Sequence, residues 1–210
     1  YKSVYRVPSH ALVGRNLALA AQQVDGTNTL VASCSACYLN LAKTESHLEH
    51  SPKLRARVND ALQAGGLQYE PGTLEIRHLL DIIFNDVGLE AIKKKVVRPL
   101  TGLRIAPYYG CMIVRPDLDN RYGQSEYPTA MDELMKVLGA EVVYFPQKTH
   151  CCSGHMTQIT PDVAYELIYR LVRAADQFNA DLMVTLCPMC QLNLDVYQGD
   201  MNRHFKTDFH

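Results

Sequence analysis

Leu182-Met183-Val184-Thr185-Leu186-Cys187-Pro188-Met189-Cys190 is the stretch that decides the fold. Its first five residues are apolar or β-branched, the pattern of a strand covered on both faces, as parallel sheets require. A C-x-x-C pair stands at the carboxyl end of that strand. Upstream, Thr160-Pro161-Asp162 reads as a helix start with proline at the first helical position, and the helix runs to about Phe178. Glu141-Val142-Val143-Tyr144-Phe145 reads as a short strand, and Cys151-Cys152 follow in the next loop. Before it, a helix is predicted from about Tyr127 to Leu138, with Ala130, Leu134 and Val137 at helical spacing and Gly139 as its stop. Earlier still, Leu103 to Tyr109 reads as a strand that leads straight into Cys111. Strands alternating with helices imply an α/β fold with a parallel sheet and right-handed crossovers. In such sheets the functional crevice lies beyond the carboxyl ends of the strands, where all the cysteines from Cys111 onward fall.

The pattern repeats. Leu30-Val31-Ala32-Ser33 leads into Cys34-Ser35-Ala36-Cys37-Tyr38-Leu39-Asn40-Leu41, and the later segment reads Cys187-Pro188-Met189-Cys190-Gln191-Leu192-Asn193-Leu194. Both follow C-x-x-C-x-L-N-L, which predicts two pseudo-repeated parallel-sheet α/β domains. Residues 1–50 would be the C-terminal part of the first, 51–101 a helical connection, and 102–210 the complete second domain. Within the connection, Ser51-Pro52 opens a helix closed by Gly65-Gly66, and further helices are expected from Leu74 to Val87 and from Leu89 to Val97. The chain starts at Tyr1 without Met or a signal-like segment and stops in the polar run Phe205 to His210. Residues are therefore expected beyond both ends, including the earlier cysteines of the first copy.

Composition narrows the function. The 210 residues are 47% hydrophobic and 20% charged, with net charge −1, which suits a folded core and not a disordered chain. Near-neutral charge argues against nucleic acid as the partner. The basic run Lys93-Lys94-Lys95 reads as a solvated helix face. No stretch approaches the roughly 18 apolar residues of a membrane span, although docking onto a membrane subunit stays open. Seven cysteines in two C-x-x-C pairs, one vicinal pair and one single residue make a poor disulfide framework. Clustered thiols in a chain of this length point to metal or redox chemistry in a reducing, cytoplasmic setting. A single C-x-x-C is ambiguous; C-x39-CC-x34-C-x-x-C is specific. Structural zinc takes four ligands, so a fifth thiolate is surplus, whereas iron–sulfur clusters are thiolate-held and admit unusual connectivity. A four-cysteine zinc site with a spare thiol and a metal-free dithiol at Cys187 and Cys190 remain the alternatives.

In the arrangement of Cys111, Cys151-Cys152 and Cys187-x-x-Cys190, the chain resembles the B-type subunit family of heterodisulfide reductase and its cysteine-rich "CCG" motif. Tyr108-Tyr109-Gly110-Cys111-Met112-Ile113-Val114-Arg115-Pro116 and Arg15-Asn16-Leu17-Ala18-Leu19-Ala20 are similar to the family's segments around that motif. The resemblance implies that Cys111, Cys151, Cys152, Cys187 and Cys190 hold a complete noncubane [4Fe–4S] cluster. Cys34 and Cys37 would be the last two ligands of another site, iron–sulfur or zinc. It further implies that a small disulfide is cleaved, or formed, in one-electron steps. Electrons would come from partner subunits, an iron–sulfur subunit of C type and a flavoprotein of A type. The E-type subunit of an atypical succinate dehydrogenase or fumarate reductase is also similar, and there zinc occupies the first motif. Related subunits of sulfur-oxidising bacteria act on other sulfur species. The motif departs from the family in reading Cys151-Cys152-Ser153-Gly154, with Ser153 before the glycine. Gly would permit positive φ beside the cluster, whereas Ser153 could donate a hydrogen bond to a cluster sulfur.

Other residues are candidates on their chemistry. His150 and His155 flank the vicinal pair and could donate hydrogen bonds or a proton; a loop histidine with a local partner is the plainer reading. Arg115 and Arg121 could bind an anion bidentately or form ordinary ion pairs. Tyr108, Tyr109 and Met112 are expected to pack near the crevice. Glu45, Glu49, His47 and His50 could hold zinc, with a solvated helix face as the plainer reading. No glycine-rich phosphate loop occurs, so flavin or nucleotide would sit on a partner.

Overall fold

The computed structural model describes residues 5–23, 27–116 and 124–210. The chain divides into two compact units: one runs through Ala32 and from Cys37 to Leu79, and the other takes Ser33–Ala36 and Leu80–His210. Both carry parallel sheets flanked by helices, an α/β fold.

In the first unit, helix α1 (Arg6–Ala21) precedes strand β1 (Thr29–Ala32), and helix α2 (Ser35–His50) starts within the first C-x-x-C. Helix α3 (Pro52–Gln63) opens as the sequence indicates, with Pro52 in its first turn and the Ser51 hydroxyl accepting from the Leu54 N–H at 3.4 Å. Strand β2 (Glu75–His78) pairs in parallel with β1, Thr29 opposite Glu75 and Ala32 opposite His78. Leu17, Leu48, Val58 and Tyr69 form the core of this unit.

Strand β2 corrects the expected helix from Leu74 to Val87, so residues 51–101 are not a wholly helical connection. Ile76 and His78 are buried while Glu75 is exposed, the period of two that a strand needs. Pairing with β1 satisfies backbone groups that a helix would have satisfied internally. The helical part starts only at Leu79, as the short helix α4 (Leu79–Asp81) continuing into a π-turn over Ile82–Val87. The helix expected to reach Val97 is also shorter: α5 spans Leu89–Lys93.

The second unit is built on a three-stranded sheet in the order β4-β3-β5, all parallel: β3 (Arg104–Tyr108), β4 (Glu141–Val142) and β5 (Leu182–Thr185). Helix α6 (Ala130–Val137) joins β3 to β4, and α7 (Pro161–Gln177) joins β4 to β5. The short helix α8 (Pro188–Gln191) follows β5, then a π-turn over Leu192–Val196 and α9 (Gln198–Phe205). Central strand β3 sends Ala106 and Tyr108 into a core with Phe145, Ile168 and Leu171, and Ile105 and Tyr109 into another with Met131 and Ile113. That two-sided burial is why the run from Ile105 to Tyr109 carries no charged residue. Strand β4 is shorter than expected. The chain leaves the ladder after the Val143 N–H bonds the Ile105 carbonyl at 3.0 Å, and Tyr144 turns outward, 63% exposed.

Candidate metal centre

Each strand of the second unit delivers sulfur at its carboxyl end. After β3 the chain turns at Gly110, with φ +68, and presents Cys111. A Cβ at Gly110 would lie 3.1 Å from Cys190 Sγ, so glycine lets the backbone pass this close without displacing the sulfur. The turn is fixed from below, where the Lys148 carbonyl accepts from the N–H groups of Tyr109 (2.8 Å) and Gly110 (3.0 Å). Beyond β4 the loop carries Cys151, exposed, and Cys152, buried. Beyond β5 come Cys187 at the N-cap of α8 and Cys190 inside it, both buried.

The sulfurs lie in one cleft of about 30 Å³, together with Ser35, Tyr109, Met112, Gly154 and Met189. Cys152 and Cys190 Sγ stand 3.4 Å apart. Hydrogen bonding between neighbouring thiols, with Cys190 shared between Cys152 and Cys187, pushes Cys111 and Cys190 up from the ordinary thiol value and Cys151, Cys152 and Cys187 down. Backbone N–H groups add to the lowering: that of Ser153 at Cys151, of Gly154 at Cys152, and of Ala36, Cys190 and Met189 at Cys187. A cation would take over the role of the shared protons.

Cys34 enters the same region, because Ser33–Ala36 belongs to this unit. Its Sγ stands 3.8 Å from Cys187 Sγ, and the Ser35 hydroxyl and N–H both donate to the Leu186 carbonyl, at 3.1 and 3.2 Å. Cys37 is exposed and falls in the other unit.

The vicinal pair is shaped by its unusual successor. Ser153 takes φ 82, the left-handed conformation that glycine would supply, and Gly154 follows at φ 60. For a residue with a side chain this costs about 1–2 kcal/mol. The buried amide of Asn193 stabilises the loop: its Nδ2 donates to the carbonyls of Cys152 and Gly154, both at 2.9 Å, and lies 3.3 Å from Ser153 Oγ. The Tyr108 hydroxyl donates to the His150 carbonyl at 2.7 Å, and burial raises its phenol far above the usual value, with the surrounding Cys152, Cys190, Cys151 and Cys111 adding to the effect.

The remaining candidates are placed as follows. Arg115 forks onto the Glu126 carboxylate, with its Nε 3.2 Å from Oε1, and reaches the Thr149 carbonyl at 3.4 Å. Arg121 lies outside the described residues. His150 lines a cleft beside Cys151 with Arg115 and Arg170, while His155 is exposed on a 3-10 turn over Gly154–Gln158. In the first unit, Glu45 accepts from the Gly72 N–H at 2.6 Å, His47 meets the His10 ring at 5.1 Å, and His50 Nδ1 contacts the Ser46 carbonyl at 2.8 Å. These are local partners and not a shared ligand set.

Sequence reasoning missed Lys148. It is fully buried, with Nζ 2.5 Å from Asp132 Oδ1, 3.1 Å from the Pro128 carbonyl and 4.1 Å from the centre of the Tyr127 ring. Asp132 also accepts from the Tyr109 hydroxyl at 2.9 Å. Nothing in Gln147-Lys148-Thr149-His150 signals burial. Asn193 was missed as well, although its place in the repeated C-x-x-C-x-L-N-L was a usable signal.

The donors fit a soft, polynuclear group. Sulfurs line the cleft without any carboxylate or imidazole, and thiolates select zinc, copper(I) or iron–sulfur clusters. Among the described residues, no group of three or more His, Cys, Asp or Glu side chains is placed to hold a single metal ion.

This arrangement defines a cysteine-rich domain of the CCG type, and the corresponding family model, "CCG: Cysteine-rich domain", matches residues 105–195. The chain belongs to the B-type subunit family of heterodisulfide reductase. It is 30% identical over 216 residues to the B-type subunit of the ferredoxin/F(420)H(2)-dependent CoB-CoM heterodisulfide reductase of Methanosarcina acetivorans, covering all of this chain and 69% of that one. It is 34% identical over 193 residues to the 8-methylmenaquinol:fumarate reductase membrane anchor subunit of Wolinella succinogenes, covering 92% of this chain and 65% of that one. The chain thus spans about two thirds of the length of these relatives. A crystal structure of a hypothetical protein from Helicobacter pylori shares the fold, with TM-score 0.69 over 96% of this chain and 35% of that one at 16% identity. Among the described residues, no helix is long and apolar enough to cross a membrane.

Proposed function

We propose that the chain is an iron–sulfur oxidoreductase subunit that reduces, or forms, a small disulfide. In this reading Cys111, Cys151, Cys152, Cys187 and Cys190 hold a noncubane [4Fe–4S] cluster. Cys34 and Cys37 belong to a second iron–sulfur or zinc site within a pair of pseudo-repeated domains. The observation that carries it is the convergence of the five sulfurs, from three different strand ends, on one cleft with no hard ligand. When bound, the cluster supplies single electrons and a place for a substrate sulfur. The chain's residues divide the remaining work. Cys152, Cys187 and Cys190 are buried, whereas Cys151 is exposed, so a thiol or disulfide approaches from the Cys151 side. The adjoining cleft, lined by Arg115, His150 and Arg170, receives the rest of that molecule. Electrons arrive from partner subunits, an iron–sulfur protein of C type and a flavoprotein of A type. The complex is cytoplasmic and membrane-associated, if at all, through those partners.

The similarity to a fumarate reductase subunit favours a second reading. There the chain passes electrons within a quinone-linked complex, with one cluster and one zinc and no disulfide of its own. EPR of the anaerobically purified protein separates the two. A paramagnetic signal that changes when a small thiol is added under oxidising conditions is expected for disulfide chemistry. An iron-loaded protein whose signal ignores both thiol and disulfide contradicts it in favour of electron transfer alone.

A further inference from the structure

We propose that Asn193 is a positioning residue for the cluster, tuning it through an amide hydrogen bond to the sulfur of Cys152. The inference rests on the iron–sulfur reading above. Asn193 is fully buried in the π-turn after α8. Its two N–H bonds are aimed at the vicinal-cysteine loop: Nδ2 lies 2.9 Å from the carbonyls of Cys152 and Gly154 and 3.4 Å from Cys152 Sγ. The two carbonyls fix which end of the amide is which, because a flipped amide would set oxygen against oxygen. Its Oδ1, by contrast, is buried with no hydrogen-bond partner among the described residues.

An orphaned buried acceptor costs about 1–3 kcal/mol, so a purely structural tie would gain by satisfying both ends. The fold instead keeps the positive end of the amide dipole on the vicinal-cysteine loop, where the Cys152 sulfur at 3.4 Å shares it with two carbonyls and the Ser153 hydroxyl, and leaves the negative end turned away from any described donor. Donors to a ligand sulfur stabilise the more negative, reduced cluster and raise its potential. Asn193 also joins two ligand groups, since it is three residues from Cys190 and its amide grips Cys152 to Gly154. The repeat gives the pattern its spacing: Asn40 stands three residues after Cys37 as Asn193 does after Cys190.

The test uses the full chain loaded with its cluster and reads iron content, midpoint potential and pulsed-EPR couplings. Asn193→Ala should retain iron and shift the potential down, so that the reduced fraction at a fixed solution potential falls about tenfold, or about 59 mV for a one-electron couple. Asn193→Ser, which keeps a donor, should recover part of that shift. In the wild-type chain labelled with 15N-asparagine, the reduced cluster should show a nitrogen coupling that Asn193→Ser lacks, a readout that does not depend on Asn193→Ala folding. Iron-loaded variants with an unchanged potential, or a labelled wild type without the coupling, overturn the role of Asn193 alone. A wild-type chain that binds no iron overturns the cluster reading and this role with it.

Discussion

Replacing Lys148 by methionine will destabilise the metal-free chain by about 3–5 kcal/mol, the usual effect of breaking a buried ion pair from one side. The ammonium is removed from water completely and is compensated by the Asp132 carboxylate at 2.5 Å, the Pro128 carbonyl and the face of Tyr127. Methionine fills much of the same volume, so the loss is electrostatic and not a cavity. Asp132 would be left with the Tyr109 hydroxyl as its remaining side-chain partner among the described residues. Those groups lie beneath the turn that presents Cys111, because Lys148 also fixes Tyr109 and Gly110 through its carbonyl. The double variant Lys148→Met with Asp132→Leu should recover most of the stability, since it removes the charge that the single change strands. Urea unfolding followed by circular dichroism measures both, and a single-variant loss below about 1 kcal/mol would show that the pair is not buried as described.

Cys187→Ser should abolish the cluster, with iron per chain falling below about a tenth of the wild-type content, while Cys37→Ser leaves the content of this site unchanged. Serine offers a hard oxygen where iron–sulfur assembly needs a soft thiolate. Cys187 stands between two other thiols, 3.8 Å from Cys34 Sγ on one side and hydrogen-bonded to Cys190 on the other. Cys37 is exposed and grouped with the other unit. Iron and sulfide analysis of the two purified variants checks the contrast, and equal iron in both would remove Cys187 from the ligand set.

The parts of this arrangement governed by local pattern were legible in the sequence. Strands β3 and β5 announced themselves as apolar runs, Pro161 marked the start of α7, and the cysteines' position after each strand followed directly. Strand β2 was not legible, because Glu75-Ile76-Arg77-His78 runs into Leu79-Leu80-Asp81-Ile82 and the apolar spacing across that boundary imitates a helix. Only pairing with β1, some 45 residues earlier, decides the matter. Long-range packing likewise hid the Lys148–Asp132 pair and the meeting of Cys34 with Cys187, which are 153 positions apart. The positive φ at Ser153 was foreshadowed, since the motif is where a glycine would have served. Asn193 shows a signal present and unread: the repeat displayed the residue, but its role needed the geometry of the loop it holds.

Whether the five sulfurs beyond the second sheet hold an iron–sulfur cluster decides everything built on them. Iron, zinc and acid-labile sulfide determination on the anaerobically purified chain tests it most directly. About four irons with matching sulfide per chain is the predicted result. Zinc without iron or sulfide would contradict it and leave a zinc-stabilised structural module.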